Sequence, residues 1–363
     1  MKRRLIEIAA VMAALSAPNS SYAQTQPSRI EASARKSWTH KPTKIGLPPT
    51  IGTFARGDVM DLSGGPLLDV SVAYDDPVSR THINVYLYHA AVPSTALWFD
   101  VAATMIATNS KFGEPQHQGD PIVFPLPGSA VASGLRQSFT ITKIGRSSGV
   151  ALVAIGEWVV KLRMTSPNLD PAQLDAAIAQ FMDSLGWPKR LPSLGTVTPL
   201  KRCSQPLAFG QRAAKMDMND AAVLLGAMRG SLAREARKKE DVPTSPALCI
   251  HGERISGRLP VYQKEGGEGG YLIPLGDSGE LLDISKDLLA GILLGEAAQD
   301  DGATPWSVTV MKLDKWVQYP SYDAMPPPTQ AIEIVQGENP LSTTSVYGKG
   351  STISLSPDAM KGE

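Results

Sequence analysis

The chain has 363 residues, with 35 Lys and Arg against 35 Asp and Glu, and 42% of its residues are apolar. That balance excludes a disordered or collagen-like chain, and zero net charge removes the basic footprint of a nucleic-acid binder. Two cysteines exclude a multi-bridge scaffold and a four-thiolate zinc site.

At the start of the chain, Lys2, Arg3 and Arg4 precede a mostly apolar run, Leu5 to Ala17, with Glu7 as its one acid. Pro18 and Asn19 break the run. Ser21-Tyr22-Ala23 then puts small residues where a signal peptidase reads. Residues 1–23 are expected to be a signal peptide, which makes the mature chain periplasmic or secreted. The run is too short for a permanent membrane anchor, and no later stretch is long and apolar enough to span a bilayer. Residues 24–49 are polar and end in Pro48-Pro49, the composition of a flexible lead-in.

Residues 50–190 read as one α+β domain. Leu68, Val70, Val72 and Tyr74 alternate with polar or small neighbours, which is strand period. Asp75-Asp76-Pro77 turns the chain. Ile83, Val85 and Leu87 then alternate with His82, Asn84, Tyr86 and Tyr88 in a second strand. Ser94 is placed to cap a helix through Leu97, Val101 and Met105. Three further strands are expected at 136–144, 150–155 and 157–165, joined by tight turns. Asp170 as N-cap and Pro171 in the first turn open a helix whose apolar face is Leu174, Ile178, Phe181 and Leu185. Short hairpin connections favour an antiparallel sheet with packed helices over a parallel one.

Residues 191–202 have linker composition, and a second, smaller α+β domain is expected over 203–340. Asn219 is placed to cap a helix to Lys239, with Leu224, Met228 and Leu232 on one face. Strands are expected at 248–250, at 259–262 (an edge strand, because of Pro260), and in a hairpin around Gly276-Asp277-Ser278-Gly279. Ser285 is placed to cap a helix through Leu294. Trp306 to Val317 reads as one long strand, stopped by Pro326-Pro327-Pro328. Residues 341–363 read as a loosely ordered tail.

The fifth strand of the first domain, Trp158-Val-Val-Lys-Leu-Arg, and the helix ending Phe181-Met-Asp-Ser184-Leu185-Gly-Trp187 together resemble the PsbP/DcrB-like group of exported α/β sandwich domains. The resemblance covers residues 50–190 and contains no diagnostic chemical motif. It implies a helix–sheet–helix sandwich with an accessory, mostly non-enzymatic role, and it brings no catalytic residues.

The chemical motifs are weak. Gly145-Arg146-Ser147-Ser148-Gly149 matches G-x-S-x-G, but a nucleophile elbow needs a helix after it, and a strand pattern follows here. A polar turn accounts for it. His117 with Glu114 and Asp120 is one candidate metal cluster, and loop polarity explains it as well. Cys249, His251 and Glu253 share a strand face, as either a thiolate–imidazole pair or part of a metal site. Both readings vanish if Cys249 is bonded to Cys203, and in an oxidising compartment that disulfide is the expectation. Asp217, Asn219 and Asp220 fail the calcium-loop pattern, and residues 265–270 lack a phosphate-loop lysine. Arg229, Arg234, Arg237, Lys238 and Lys239 read as a solvated helix face.

No catalytic, cofactor-binding or metal-binding residue can therefore be named. The candidate ligand face is His82, Asn84, Tyr86 and Tyr88, with Lys161 and Arg163 on the same side of the sheet. The alternative is that this face is roofed by a helix. The expected function is that of a non-enzymatic envelope protein binding a protein or small-molecule partner. A serine-type or other hydrolase and a structural or assembly protein are the alternatives.

Overall fold

Alternating apolar residues in the first half of the chain form a ten-stranded, fully antiparallel sheet. The computed structural model describes residues 26–192, 195–217, 220–237, 246–255, 259–265, 269–287 and 305–356. The signal-peptide reading of residues 1–23 lies outside them. In chain order the first strands are β1 (Ser28–Ile30), β2 (Trp38–Thr39), β3 (Gly46–Leu47), β4 (Thr50–Ile51), β5 (Phe54–Asp61), β6 (Asp69–Asp76) and β7 (Thr81–His89). After helix α1 (Thr95–Ala107) and a 3-10 turn (Ser110–Phe112) come β8 (Gln116–His117), β9 (Ile122–Pro125), β10 (Ala132–Thr140), β11 (Ser147–Ile155) and β12 (Trp158–Ser166), followed by helix α2 (Pro171–Ser184). The strand order is β1-β5-β6-β7-β12-β11-β10-β8, with β4 on β5 and β9 on β10; β2 and β3 pair with each other.

One face of this sheet buries Val70, Val72, Tyr74, Ile83, Val85, Leu87, Val160, Leu162 and Met164 against α2. Helix α2 starts as its sequence dictates. The Asp170 carboxylate accepts from the Gln173 amide, the Gln173 side chain returns to the Asp170 amide, and Pro171 opens the first turn. Leu174, Ile178, Phe181 and Met182 face the sheet. Gly149 lets the helix lie this close, because a Cβ there would stand 2.6 Å from the end of Ile178.

The opposite face of the sheet is covered in part by α1. This helix reads Thr-Ala-Leu-Trp-Phe-Asp-Val-Ala-Ala-Thr-Met-Ile-Ala and has apolar residues all round, the pattern of a helix buried on more than one side. It packs on Leu135, Phe139, Val150, Leu152 and Val159 of the first sheet and, in the same cluster, on Leu248, Tyr262, Leu272, Leu281 and Met311 of a second sheet. Asp100, the one ionisable residue of α1, accepts from the Tyr262 hydroxyl at 2.7 Å.

The second sheet is an eight-stranded antiparallel meander in chain order. After helix α3 (Asp220–Arg237) its strands are β13 (Leu248–Ile255), β14 (Leu259–Lys264), β15 (Tyr271–Pro274), β16 (Leu281–Lys286), β17 (Trp306–Met311) and β18 (Lys315–Gln318). Helix α4 (Pro328–Gly337), β19 (Ser342–Ser345) and β20 (Ile353–Leu355) complete it. Helix α4 packs Ala331 and Ile334 on Val308, Val310 and Ile284. The molecule is thus α+β and rich in antiparallel strands, and none of the described helices is long and apolar enough to cross a membrane.

Several expectations need correction. Residues 24–49 are not a free lead-in: Ile45, Leu47 and His40 are fully buried, and Gly46 exchanges backbone hydrogen bonds with Gly186. In the expected tail 341–363, residues 341–356 contribute β19 and β20 to the sheet, and residues 357–363 lie outside the described residues. In the 191–202 linker, Val197 and Leu200 pack on the α1 cluster. Trp306–Val317 is broken at Lys312–Asp314 into the hairpin β17–β18. Strand β14 is interior, because Pro260 sits beside a register shift in β13 and needs no ladder donor there. Ser285 belongs to β16, and the rest of the helix expected through Leu294 lies outside the described residues.

Helix α3 presents the wrong side for its apolar stripe. Leu224, Met228 and Leu232 are exposed, and the helix meets the sheet through Val223, Gly226, Ala227 and Gly230. A Cβ on Gly230 would stand 3.1 Å from the Thr344 side chain, so this glycine sets the close approach of the helix to β19. Arg229 anchors the helix on Ser307 and Ser285, at 2.5 and 2.7 Å.

Cys203 and Cys249 form a disulfide, 46 residues apart in sequence. In the chain-entropy picture, closing a loop of that size stabilises by about 4 kcal/mol. A Cys203→Ala/Cys249→Ala variant should unfold at a lower urea midpoint with a somewhat steeper slope, because the unbridged unfolded chain exposes more surface. An unchanged midpoint would mean that the bridge adds nothing.

Candidate ligand-binding face

Strand parity decides which residues meet on the α1 side of the first sheet. Tyr86 lies opposite Lys161, Asn84 opposite Arg163 and His82 opposite Thr165. On the other flank Tyr88 lies opposite Asp69, Tyr86 opposite Ser71 and His82 opposite Asp75. The six sequence-selected residues therefore do share one face. They divide into a covered part and an open part.

The covered part lies beneath the β15–β16 turn, Gly276–Gly279, and against α1, whose Trp98 ring meets the Tyr88 ring edge-on at 6.1 Å. The Gly279 carbonyl accepts from the Ala91 amide at 3.0 Å; the residue has a φ of +96°, and a Cβ there would stand 2.8 Å from the Tyr88 ring, so no side chain fits. Lys161 is 3% exposed in its side chain. Its ammonium lies 2.8 Å from Asp277 Oδ2 and donates to the Asp277 carbonyl at 2.6 Å. The same ammonium stands 4.5 Å from the centre of the Tyr86 ring and 5.4 Å from that of Tyr88. The turn thus docks by setting a carboxylate over a lysine held between two tyrosine rings.

Asp69 is the third charge-bearing group of this buried cluster. Burial raises its pKa to about 7; the Lys161 charge opposes the rise, and Asp277, Asp61 and Glu280 reinforce it. Its Oδ1 and the Tyr88 hydroxyl have no hydrogen-bond partner among the described residues. Burial is the largest influence on the Asp277 carboxyl and would raise it, but the Lys161 charge and hydrogen bond and the Arg163 charge together hold it below its ordinary value. Burial pulls the Lys161 ammonium down, against the Asp277 charge. Burial lifts Tyr88 well above the usual phenol range.

The open part is the strip of His82, Asn84, Tyr86 and Arg163, with Asp75 at its end. His82 Nδ1 donates to Asp75 at 2.7 Å, and the Asn84 amide donates to His82 Nε2 at 2.9 Å. This chain of bonds occupies both ring nitrogens, so His82 has no free nitrogen to serve as a base. The Arg163 guanidinium lies 5.5 Å from the centre of the Phe112 ring, at the end of α1. Tyr86 is half-buried, and burial, followed by the Asp277 charge, raises its pKa.

The other motifs resolve into structure. Ser147 is fully buried in β11 and donates to the Leu169 carbonyl at 2.8 Å; no helix follows it, and Gly149 serves α2 packing. Cys249 is consumed by the disulfide, which removes the Cys249/His251/Glu253 constellation as a thiolate pair or thiolate metal site. His251 Nε2 bonds the Leu207 carbonyl instead. His117 is exposed and turned to the Gly119 carbonyl. Among the described residues no three metal-ligating side chains converge.

Sequence reasoning missed Asp69 and Asp277. In the sequence Asp69 reads as a polar alternation in a strand, and Asp277 as a turn residue. Only the non-local docking of the turn brings them to Lys161. Comparison with protein-family models, curated proteins and solved structures finds no match for this chain.

Proposed function

We propose that this is an exported, non-enzymatic envelope protein that binds a protein or small-molecule partner on the strip His82–Asn84–Tyr86–Arg163. The observation that carries the reading is that strip itself. It is a row of polar and aromatic side chains left open on a sheet face whose remainder is closed by α1 and by the Gly276–Gly279 turn. Binding residues concentrate where a rigid scaffold leaves polar groups accessible. The layering of α2, sheet and α1 supports the resemblance to the PsbP/DcrB-like group and the accessory role that comes with it. The buried, hydrogen-bonded Ser147 weakens the serine-hydrolase alternative. The exposed row Leu224, Met228 and Leu232 is the feature an assembly role would use, but three side chains are small against the patches that mark interfaces.

A photo-crosslinker at Asn84 tests the reading, with a control crosslinker at Ile144, which is 62% exposed elsewhere. Adducts are expected from position 84 in the cell envelope, lost with Tyr86→Ala and with Arg163→Ala, and absent at 144. Equal adducts at both positions would remove the reading. So would ester or peptide turnover abolished by Ser147→Ala.

A further inference from the structure

We infer that the strip recognises an oxyanion on its ligand, a carboxylate or a phosphate group, with Arg163 as the anchor and Asn84 beside it. This rests on the strip being the binding face and names the chemistry that the face would take.

The first observation is Arg163 itself. It lies within the sheet face with less than half of its surface exposed, on an interior strand, yet its guanidinium makes no hydrogen bond or ion pair among the described residues. A guanidinium carries five N–H donors in a fixed fork, and a partly desolvated one without an acceptor is costly to leave so. Elsewhere on the same domain the comparable arginines are satisfied. Arg136 bonds Asp175 at 3.0 and 3.2 Å, and Arg56 donates to the carbonyls of Leu47, Ser33 and Lys36. Arg163 alone among these keeps its fork open.

The second observation is the distribution of the surrounding charges. Asp277 is committed to Lys161 through both its carboxylate and its carbonyl. Asp75 is committed to His82. Asp69 sits buried two rows of the ladder away, beside Tyr88, held toward its neutral form. The Asp277 charge reaches Arg163, but among the described residues no carboxylate lies within ion-pair distance of the guanidinium. An incoming oxyanion would supply the missing acceptor, and the planar fork matches a carboxylate or phosphate edge in a bidentate way.

The third is the frame. Phe112 flanks the guanidinium, 5.5 Å from its centre to the ring centroid. Asn84 lies opposite Arg163 in the ladder. Its amide already gives one N–H to His82, which leaves its second N–H for a second ligand oxygen. Tyr86 offers a ring next to this pair for an apolar part of the ligand.

The probes are acetate, inorganic phosphate and a short acidic peptide, each titrated into the full chain while the Arg163 Nε–H and Asn84 side-chain amide signals are followed by NMR. Saturable shifts confined to those two side chains are expected with at least one probe. Phosphate alone shifting them would assign a phosphate group. Acetate or peptide alone would assign a carboxylate. Arg163→Gln should abolish the Asn84 shift, and Arg163→Lys should weaken binding about tenfold, because it keeps the charge and loses the fork. Arg146→Gln, at an exposed arginine on the 140s turn, should change nothing, and each variant's thermal midpoint shows whether it folds. No saturable shift with any probe, or equal shifts in Arg163→Gln, would overturn the inference. The two levels separate cleanly. Crosslinks from position 84 lost with Tyr86→Ala but kept with Arg163→Gln would leave the binding face standing and remove the oxyanion.

Discussion

Replacing Asp277 with alanine is expected to lower the stability of the folded chain by about 3–5 kcal/mol, a very large effect for a residue in a hairpin turn. The reason lies across the interface. Lys161 is 3% exposed and has Asp277 as its ion-pair partner. Removing the carboxylate leaves a buried ammonium with one carbonyl and two aromatic rings for company, and an uncompensated buried charge is among the short list of changes that unfold domains. Asp69 lies close enough for its charge to act on Lys161, and it should ionise to take over part of the load. The cost therefore falls toward the lower end of that range above neutral pH. Lys161→Met should cost less, because Asp277 is 30% exposed and can rehydrate. The double variant Lys161→Met/Asp277→Ala should come back toward the wild type, as paired removals of buried charges do. Urea unfolding of the four proteins in a double-mutant cycle gives the coupling. A single Asp277→Ala variant within about 1 kcal/mol of wild type would show that the turn does not carry the joint between the sheets.

What the sequence made legible follows from how local each cause is. Strands β6, β7, β11 and β12 declared themselves by alternation, and α2 by Asp170, Pro171 and its apolar spacing. The disulfide followed from there being only two cysteines in a chain read as exported. Helix α1 was placed, but its all-round apolar surface carried a further message, that two sheets would cover it. Helix α3 was placed and its exposed side misjudged. A stripe of Leu224, Met228 and Leu232 is the usual sign of a buried face, but Gly230 permits a closer approach on the other side, and proximity to the sheet decided the matter. The ligand face was legible as a set of residues because parity is local. Its division was not, since the partner of Lys161 lies 116 residues away in a turn that local pattern explains completely. The strands in residues 341–363 were hidden for a related reason. Their Ser- and Thr-rich sequences gain strand form from pairing with β18, which composition does not reveal.

Asp69 should make the stability of this fold fall between about pH 4 and pH 7, and Asp69→Asn should abolish that fall. Asp69 is 7% exposed and titrates near 7 in the folded chain, against 3.8 for an ordinary aspartate. The folded state therefore binds the proton more tightly than the unfolded state. The stabilisation from that proton is fully present below about pH 4, declines as pH rises, and is gone above about 7. Its size is on the order of 4 kcal/mol for a difference of this extent. The groups around Asp69 set the direction. Lys161 favours the ionised form, but burial and the carboxylates Asp277, Asp61 and Glu280 together outweigh it. Once ionised, Asp69 adds a second negative charge beside a single buried lysine. Other groups titrate in the same interval, so the informative quantity is the difference between the two proteins. His40, whose pKa burial lowers, acts in the opposite sense, adding stability as pH rises through its folded value toward 6.5. Glu280, raised by burial, acts in the same sense as Asp69. His40 is shared by wild type and variant and cancels, while Glu280 cancels apart from its coupling to Asp69. Asparagine copies the shape of the protonated aspartate and cannot ionise. Wild type and Asp69→Asn should therefore have similar urea midpoints at pH 4, and the variant should be the more stable protein at pH 8 by a few kcal/mol. A wild type that equals or exceeds the variant at pH 8 would mean that Asp69 is ionised at ordinary pH and that the cluster beneath the Gly276–Gly279 turn holds two carboxylates against one lysine without strain.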